Sequence, residues 1–439
     1  MTTIAALVEA AEAAEAAAPS PPWTILYLDH TAKLSGGEIA LARLLGELDP
    51  VRVRPVVLLA EDGPLVARLR EDGIETHVLP LPSGVREVRK DTLGLTGLLK
   101  NVAKAGHLAH YAVQVARFAQ RCGANVLHCN SLKADVYGAL AGRLARLPVI
   151  WHVRDHIDPS YLPTPAVRAF RMLARRLPSY VVTNSQSTLE RLDLNGACPT
   201  MIAPSGYQLP ANLVVHDGLG MRELSQSTAD AAWPALIRVA LVGRLAPWKG
   251  QHVFLEAAQQ VRRAGWDACF TLVGSAMFGE DAYESRLRQI VADAPNELGG
   301  GRVIFAGFQN DVFAALRQTD ILVHASTTPE PFGQVVVEGM AVGLPVIGTD
   351  GGGVREIIQH GETGLLIPMD DAPALARALI DLMTDPGRAR KIGNAGREHV
   401  RAHFTAAHAA RKIEQVYATL MRDKHGGPPQ AVSALPQRD

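Results

Sequence analysis

The sequence predicts an α/β protein made of two doubly wound domains with parallel sheets, and three observations carry that prediction. Short apolar runs alternate with longer helical stretches along almost the whole chain, the pattern of parallel strands joined by helical crossovers. The alternation stops once, around residues 205–235, where Pro204, Pro210, Gly218, Gly220 and Pro234 fall without periodicity, and then restarts. The chain has 439 residues, enough for two cores of ordinary size, and its apolar content is 47% with aromatics at only 5%.

In order, the first half offers strands at Thr24–Leu28, Pro55–Leu59, Glu75–Leu79, Asn125–His128, Val149–His152, Tyr180–Thr183 and Thr200–Ala203. Each is a run of four to five residues rich in Val, Ile, Leu or Tyr, short enough to be a strand buried on both faces. The longest helical stretch between them runs from about Leu93 to Arg121. The second half offers strands at Ile237–Val242, Cys269–Val273, Arg302–Phe305, Ile321–His324, Pro345–Ile347 and Gly364–Ile367. After Asp371 the pattern is helical to about Asp423, with a break near Arg401–Thr405. The organisation expected is a tail over 1–22 (disordered or weakly helical), a first domain over 23–210, a linker over 211–235, a second domain over 236–404, a helix over 405–423 returning to the first domain, and a Pro/Gly/Gln-rich disordered tail over 424–439. Two such domains would hold a ligand between the C-terminal ends of their strands.

Composition sets the outer bounds. Formal net charge is +0, so no global field favours nucleic acid, and none is expected as a partner. No run of 18 apolar residues exists, so no membrane span is expected. The first 20 residues carry Glu9, Glu12 and Glu15 and lack a basic start, which argues against a secretory signal. Cys122, Cys129, Cys198 and Cys269 form no CxxC and no metal spacing, so reduced thiols and a cytoplasmic location are expected.

The most informative stretch is Glu330-Pro-Phe-Gly-Gln-Val-Val-Val-Glu338. It follows a strand and opens a helix, which puts one carboxylate in the loop and the other about a turn and a half into the helix. Between them lie the free backbone amides of the first turn, a seat for an anion. Two acids flanking an anion seat suit a ligand with both hydroxyls and phosphates, such as a sugar nucleotide. The spacing alone also fits two ordinary surface glutamates. The second domain opens with Leu241-Val-Gly-Arg-Leu-Ala-Pro-Trp-Lys-Gly250, which puts Arg244 and Lys249 at the C-terminal edge of a strand, where a diphosphate would need them. No Gly-Lys-Ser/Thr follows, so this is not a P-loop. Gly351-Gly-Gly-Val-Arg-Glu356 opens another helix, and its glycines either let backbone approach a ligand or sharpen a turn. In the first domain, Ser35-Gly36-Gly37-Glu38 precedes an apolar helix expected to begin at Ile39, and His152 ends a strand at the same crevice.

Together these elements resemble the retaining glycosyltransferases of family 4 (glycosyl transferases group 1), which have the GT-B fold. The resemblance runs from Thr24 to about Asp423. It is carried by Gly36-Gly37, His152, Asn184-Ser185, Pro204-Ser205-Gly206, Gly243-Arg244-Leu245, Lys249-Gly250, Glu330-Pro-Phe-Gly, Glu338 and Gly352-Gly353-Val-Arg-Glu356. It departs from the family where Pro204-Ser205-Gly206 replaces a common Asn-Gly pair and in a longer linker. The resemblance implies that Arg244 and Lys249 bind the donor diphosphate, that Glu338 accepts from ribose hydroxyls, and that Glu330 contacts the transferred sugar beside Phe332, Gly333, Gln334 and Val335. It further implies that Gly36 and Gly37 approach the donor phosphate and that His152 lines the sugar and acceptor side. His152, Glu330, Arg244 and Lys249 would then form the catalytic set. Gly274 and Phe308 mark the pocket that would choose the donor base among uridine, guanosine and adenosine, with a UDP- or GDP-sugar expected. Retention of anomeric configuration is implied, by same-face attack.

No D-x-D, HExxH or Cys/His cluster is present, so no cofactor or metal is expected and the two cations stand where a divalent ion otherwise would. The acceptor is left open among a glycan, a lipid-linked and a small-molecule substrate. Residues 84–180 carry 15 Lys/Arg against 5 Asp/Glu, a net of +10. Within them Arg168, Arg171 and Arg175 share one helical side, which suits either an ordinary solvated face or a peripheral contact with anionic lipid at the inner face of the membrane. Two other readings compete with transfer: a sugar-nucleotide epimerase or hydrolase of the same fold, and a non-catalytic nucleotide-sugar-binding module.

Overall fold

A computed structural model describes residues 22–82, 98–209, 233, 236–277 and 279–424, with backbone alone for 98–105 and 424. Most of the expected linker, the start of the expected long helix and both tails lie outside these residues.

The first half contains β1 (Trp23–Asp29), α1 (Gly36–Gly46), β2 (Val53–Leu59), α2 (Pro64–Glu71), β3 (Glu75–Val78), α3 (Leu98–Arg121), β4 (Val126–Cys129), α4 (Leu132–Ala145), β5 (Val149–Val153), α5 (Thr164–Ala174), β6 (Tyr180–Thr183), α6 (Gln186–Leu192) and β7 (Thr200–Ile202). The strands form one parallel sheet in the order β3-β2-β1-β4-β5-β6-β7. Residues of β1 alternate between two cores: Leu26 and Leu28 pack with Tyr111, Val115 and Tyr137 on one face, and Ile25 and Tyr27 with Leu41 and Leu45 on the other. Burial on both faces is what makes these strands read as unbroken apolar runs.

The second half contains β8 (Ile237–Val242), a 3₁₀ turn (Pro247–Lys249), α7 (Gln251–Arg263), β9 (Ala268–Val273), α8 (Asp281–Asp293), α9 (Pro295–Leu298), β10 (Val303–Gly307), α10 (Val312–Leu316), β11 (Ile321–Val323), α11 (Gln334–Ala341), β12 (Val346–Thr349), α12 (Val354–Ile357) and β13 (Leu365–Ile367). Helices α13 (Ala372–Thr384), α14 (Pro386–His403) and α15 (Ala406–Lys424) follow. The sheet order is β10-β9-β8-β11-β12-β13, again parallel, with α7 and α13 on one face and α11 and α14 on the other. These are two Rossmann-like domains in the GT-B arrangement.

Helix α15 joins the first core. Its Ile413, Val416, Tyr417 and Leu420 pack with Tyr27, Leu41 and Val182, and the Tyr27 and Tyr417 hydroxyls meet at 2.5 Å. The chain thus passes between the halves twice at one place. The Tyr207 amide donates to the Phe404 carbonyl at 3.0 Å, and the Ala406 amide donates to the Tyr207 carbonyl at 2.9 Å.

Candidate active site

In each sheet the strand order reverses beside the first strand, between β1 and β4 and between β8 and β11, and such a switch point opens a crevice at the strand C-terminal ends. At the second switch point β8 ends at Gly243-Arg244, and the 3₁₀ turn delivers Lys249. Gly250 closes that turn with a φ of +71°, and a Cβ there would lie 1.8 Å from the Ala325 carbonyl oxygen. Only glycine lets the turn sit this close to the end of β11. The Thr327 amide donates to the Trp248 carbonyl at 2.9 Å, which ties the two loops together. Arg244 stands 5.7 Å from the Trp248 ring, and the Lys249 ammonium 4.5 Å from it.

Lys249 Nζ then reaches Glu330 Oε1 at 2.7 Å. The same oxygen receives His324 Nε2 at 2.9 Å and the Ser326 hydroxyl, and His324 Nδ1 lies 3.2 Å from Thr349 Oγ1. Burial pushes the Glu330 carboxyl up, but the charges of Lys249 and His324 and their hydrogen bonds outweigh it and hold the group well below the usual carboxylate range. Its folded-state pKa is therefore below the unfolded value of about 4.3. Such a carboxylate contributes stability above about pH 4.3 that is lost as the pH falls through the depressed folded value. Urea unfolding titrated from neutral into acid is expected to show a steeper loss in the wild type than in Glu330→Gln. Parallel slopes would contradict this balance of charges.

Helix α11 begins just beyond, with Gly333 as its N-cap and Phe332 buried against Phe404. The first-turn amides around Gln334 and Val335 point out of the helix without intrahelical partners. Glu338 is buried on α11, where Arg43 Nη1 of α1 meets its Oε1 at 2.8 Å and Gln334 Nε2 lies at 3.4 Å. Burial raises the Glu338 carboxyl, and Arg43 and Gln334 oppose that rise. The Gly351–Gly353 run turns out to serve protein packing: a Cβ on Gly352 would lie 2.1 Å from the Glu330 carbonyl, and the Gly353 amide donates to that carbonyl at 2.9 Å. Gly274 bonds to Gly307 through its amide at 2.8 Å, and Phe308 beside it is 59% exposed.

The first domain contributes a polar belt along its own switch point. Asn130 Nδ2 donates to Asp29 at 2.7 Å, Arg154 Nε donates to Asn130 at 3.0 Å, and Arg154 Nη1 donates to Ser205 at 2.8 Å. Burial lowers the Arg154 guanidinium to about 10, against the neighbouring charges of Asp29, Glu38 and Asp155. Helix α1 starts at Gly36 and not at Ile39, so Gly36 and Gly37 are its first two residues, and Gly37 faces the Arg154 side chain. The signal for that start was Ser35 followed three residues on by Glu38, the sequence form of a capping box, although here the two side chains bond to each other and Ser35 makes no side-chain bond to a first-turn amide.

His152 is buried at the end of β5, with its Nε2 unpaired among the described residues. Its Nδ1 is 3.0 Å from His128 Nε2, and His128 Nδ1 is 2.7 Å from the Tyr417 hydroxyl. Burial lowers both imidazoles, His128 to about 3, so both are neutral. The histidine that meets the second domain is His156, which sequence reasoning passed over. It is buried, lies 3.2 Å from Ser187 Oγ, bonds to the Pro329 carbonyl and senses the Glu330 charge; its imidazole is lowered to about 4, mainly by burial. Beside it the Ser185 hydroxyl donates to the Pro331 carbonyl at 2.5 Å, and Glu356 accepts from the Gln186 and Ser187 amides, both at 2.8 Å. A loop position carries no periodicity to flag His156.

The arginines of α5 are partly committed elsewhere. Arg171 donates to the Arg191 and Ile157 carbonyls and Arg175 to Asp193, while Arg168 is exposed. Among the described residues, no helix is long and apolar enough to cross a membrane, and no group of three or more His, Cys, Asp or Glu could hold a metal ion.

Two family models match the chain: "Glycosyl transferase 4-like domain" over residues 35–205 and "Glycosyl transferases group 1" over residues 236–399. The putative glycosyltransferase YtcC of Bacillus subtilis is 30% identical over 193 residues, 43% of this chain and 46% of that protein, so the chain spans under half the length of this relative. The phosphatidyl-myo-inositol mannosyltransferase of Mycobacterium leprae is 30% identical over 379 residues, covering 79% of this chain and 93% of the relative. Among solved structures, Anabaena Alr3699/HepE in complex with UDP-glucose superposes with a TM-score of 0.72 at 26% identity, over 90% of this chain and 99% of the other. Two facing parallel sheets, a cation-paired glutamate at the second switch point and near-complete coverage of the mycobacterial relative agree: the chain belongs to the GT-B glycosyltransferase family.

Proposed function

We propose that the chain is a retaining, family 4-type glycosyltransferase that moves a sugar from a UDP- or GDP-sugar to a hydroxyl of a glycan, lipid-linked or small-molecule acceptor, without a metal. The observation that carries this reading is the Lys249–Glu330 pair at 2.7 Å beside the N-terminus of α11. Breaking the bond from sugar to diphosphate leaves negative charge on the phosphate. Fixed cations and unpaired helix amides aimed at that charge lower the barrier. Lys249 and Arg244 supply the cations and α11 the amides. Glu330, kept ionised, accepts hydrogen bonds from the hydroxyls of the transferred sugar, and Glu338 does the same for the ribose. Gly36 and Gly37 close on the phosphates from the first domain. The UDP-glucose bound to the Anabaena relative and the mannosyl transfer in the name of the mycobacterial one fit a donor of this class.

With charge stabilisation concentrated on the leaving group, departure leads, and the acceptor enters on the same face while the phosphate takes its proton. His152, neutral and with its Nε2 unpaired, lines the sugar and acceptor side beside Arg154 and Ser205. A peripheral membrane contact for this cytoplasmic enzyme would rest on Arg168 more than on Arg171 and Arg175. The test is a panel of nucleotide sugars and acceptors scored by nucleotide release in excess chelator. Proton NMR of the first product from an α-linked gluco-configured donor is expected to show the small anomeric coupling of an α linkage. A β product would refute retention, and donor turnover with no acceptor dependence would favour a hydrolase.

A further inference from the structure

We propose that Arg43 is a positioning residue for donor binding: it reaches from α1 of the first domain, aims the Glu338 carboxylate of the second domain at the donor ribose, and keeps it an anion. This rests on the reading of Glu338 as the ribose acceptor.

The geometry supports a working contact. Arg43 lies seven residues after Gly36, two turns along the same side of α1, so one stripe of that helix carries both the glycine start and the guanidinium towards the second domain. Arg43 and Glu338 are 9% and 6% exposed and meet at 2.8 Å, at an angle that makes an ion pair more than a linear hydrogen bond. Glu338 is itself buried, and that burial favours a neutral acid.

The other elements around α11 leave that charge to Arg43. On α11 itself Gln334 is uncharged, and its amide is shared with the Gly206 carbonyl at 3.4 Å. From α14, Arg397 lies against Gly343, past the end of α11, while His399 stacks near Phe404. From α12, Arg355 is paired with Asp350, and Glu356 caps the amides of Gln186 and Ser187. A neutral Glu338 would lose the charge-assisted bonds to two ribose hydroxyls. Without Arg43, donor affinity should therefore depend on pH through Glu338. A donor site completed by both domains would also weaken whenever the domains part.

The test uses calorimetric Kd values of the full-length protein for UDP and for GDP from about pH 6 to pH 9. The readout is the ratio of variant to wild-type Kd, in which titration of the ligand phosphate cancels. Arg43→Met is expected to raise this ratio severalfold at pH 6, because without the guanidinium part of Glu338 holds a proton that must leave before the ribose hydroxyls can bond to the anion. The ratio should shrink towards one at pH 9. Arg43→Lys should keep it near one throughout. Arg43→Gln should follow the Met variant, and serves in its place if Met melts early. Glu338→Gln should weaken binding equally at every pH. A Met or Gln variant that binds like wild type at every pH overturns the inference and leaves the donor reading intact. A pH-independent loss also overturns it, because Arg43 would then act on the phosphates or the fold. An unchanged Kd in Glu338→Gln, or wild type binding neither diphosphate, overturns the donor reading itself.

Discussion

Lys249→Met is expected to lower kcat by about 10²–10³-fold, the loss seen when one preorganised group facing developing charge is removed. It should also destabilise the fold, because Glu330 would keep its place without its cation. Removing one partner of a buried pair costs about 3–5 kcal/mol, and the low end suits a lysine whose side chain is 16% exposed. The double variant Lys249→Met with Glu330→Gln separates the two effects. Neutralising the carboxylate should restore most of the stability in urea unfolding and none of the turnover. Full turnover in the single variant would remove Lys249 from the reaction, whatever the stability.

Gly352→Ala is expected to act just as strongly without touching a charged group. Its φ of +60° belongs to the left-handed region, which costs a residue with a Cβ about 1–2 kcal/mol. The added carbon would also lie 2.1 Å from the Glu330 carbonyl oxygen and 2.8 Å from the Glu330 nitrogen, so the Glu330 loop must move. Displacements of about 1 Å at a reacting centre can cost about 10²-fold in rate. Gly351→Ala is the control, since its Cβ would meet the flexible end of Met369 at 3.2 Å. It should fold and turn over almost normally. Equal losses in both variants would show that the whole turn, and not its contact with Glu330, matters.

The inner strands were legible because they are apolar runs buried on both faces, whereas β3, β7 and β10 are only partly buried; Tyr180–Thr183 and Ile237–Val242 have the observed bounds. The Glu330 loop was legible because a strand and a helix bracket it. The role of Gly351–Gly353 was not, since a glycine that admits a ligand and one that admits another backbone look alike in sequence. Arg43 was hidden in Leu41-Ala42-Arg43-Leu44-Leu45. A charge inside an apolar helical run does signal a buried pair, but its partner lies on a helix of the other domain, and no local pattern links them. His152 drew attention through its strand-end position, where its Nδ1 meets His128 and its Nε2 is unpaired; nothing local marked His156, four residues on, which bonds to the Pro329 carbonyl of the second domain.

The return of α15 to the first core has a consequence for synthesis. Tyr27 and Tyr417, whose hydroxyls touch, are 390 positions apart. At about 5–20 residues per second, the first domain, translated by residue 209, waits roughly 10–40 s on the ribosome for Tyr417 and its last layer. Throughout that interval the face bearing Ile25 and Tyr27 has only α1 and α2 on it and lacks Ile413, Val416, Tyr417 and Leu420 of α15. The first half is thus translated early and finished late, and chains released before α15 carry an open apolar surface that chaperones and proteases can read.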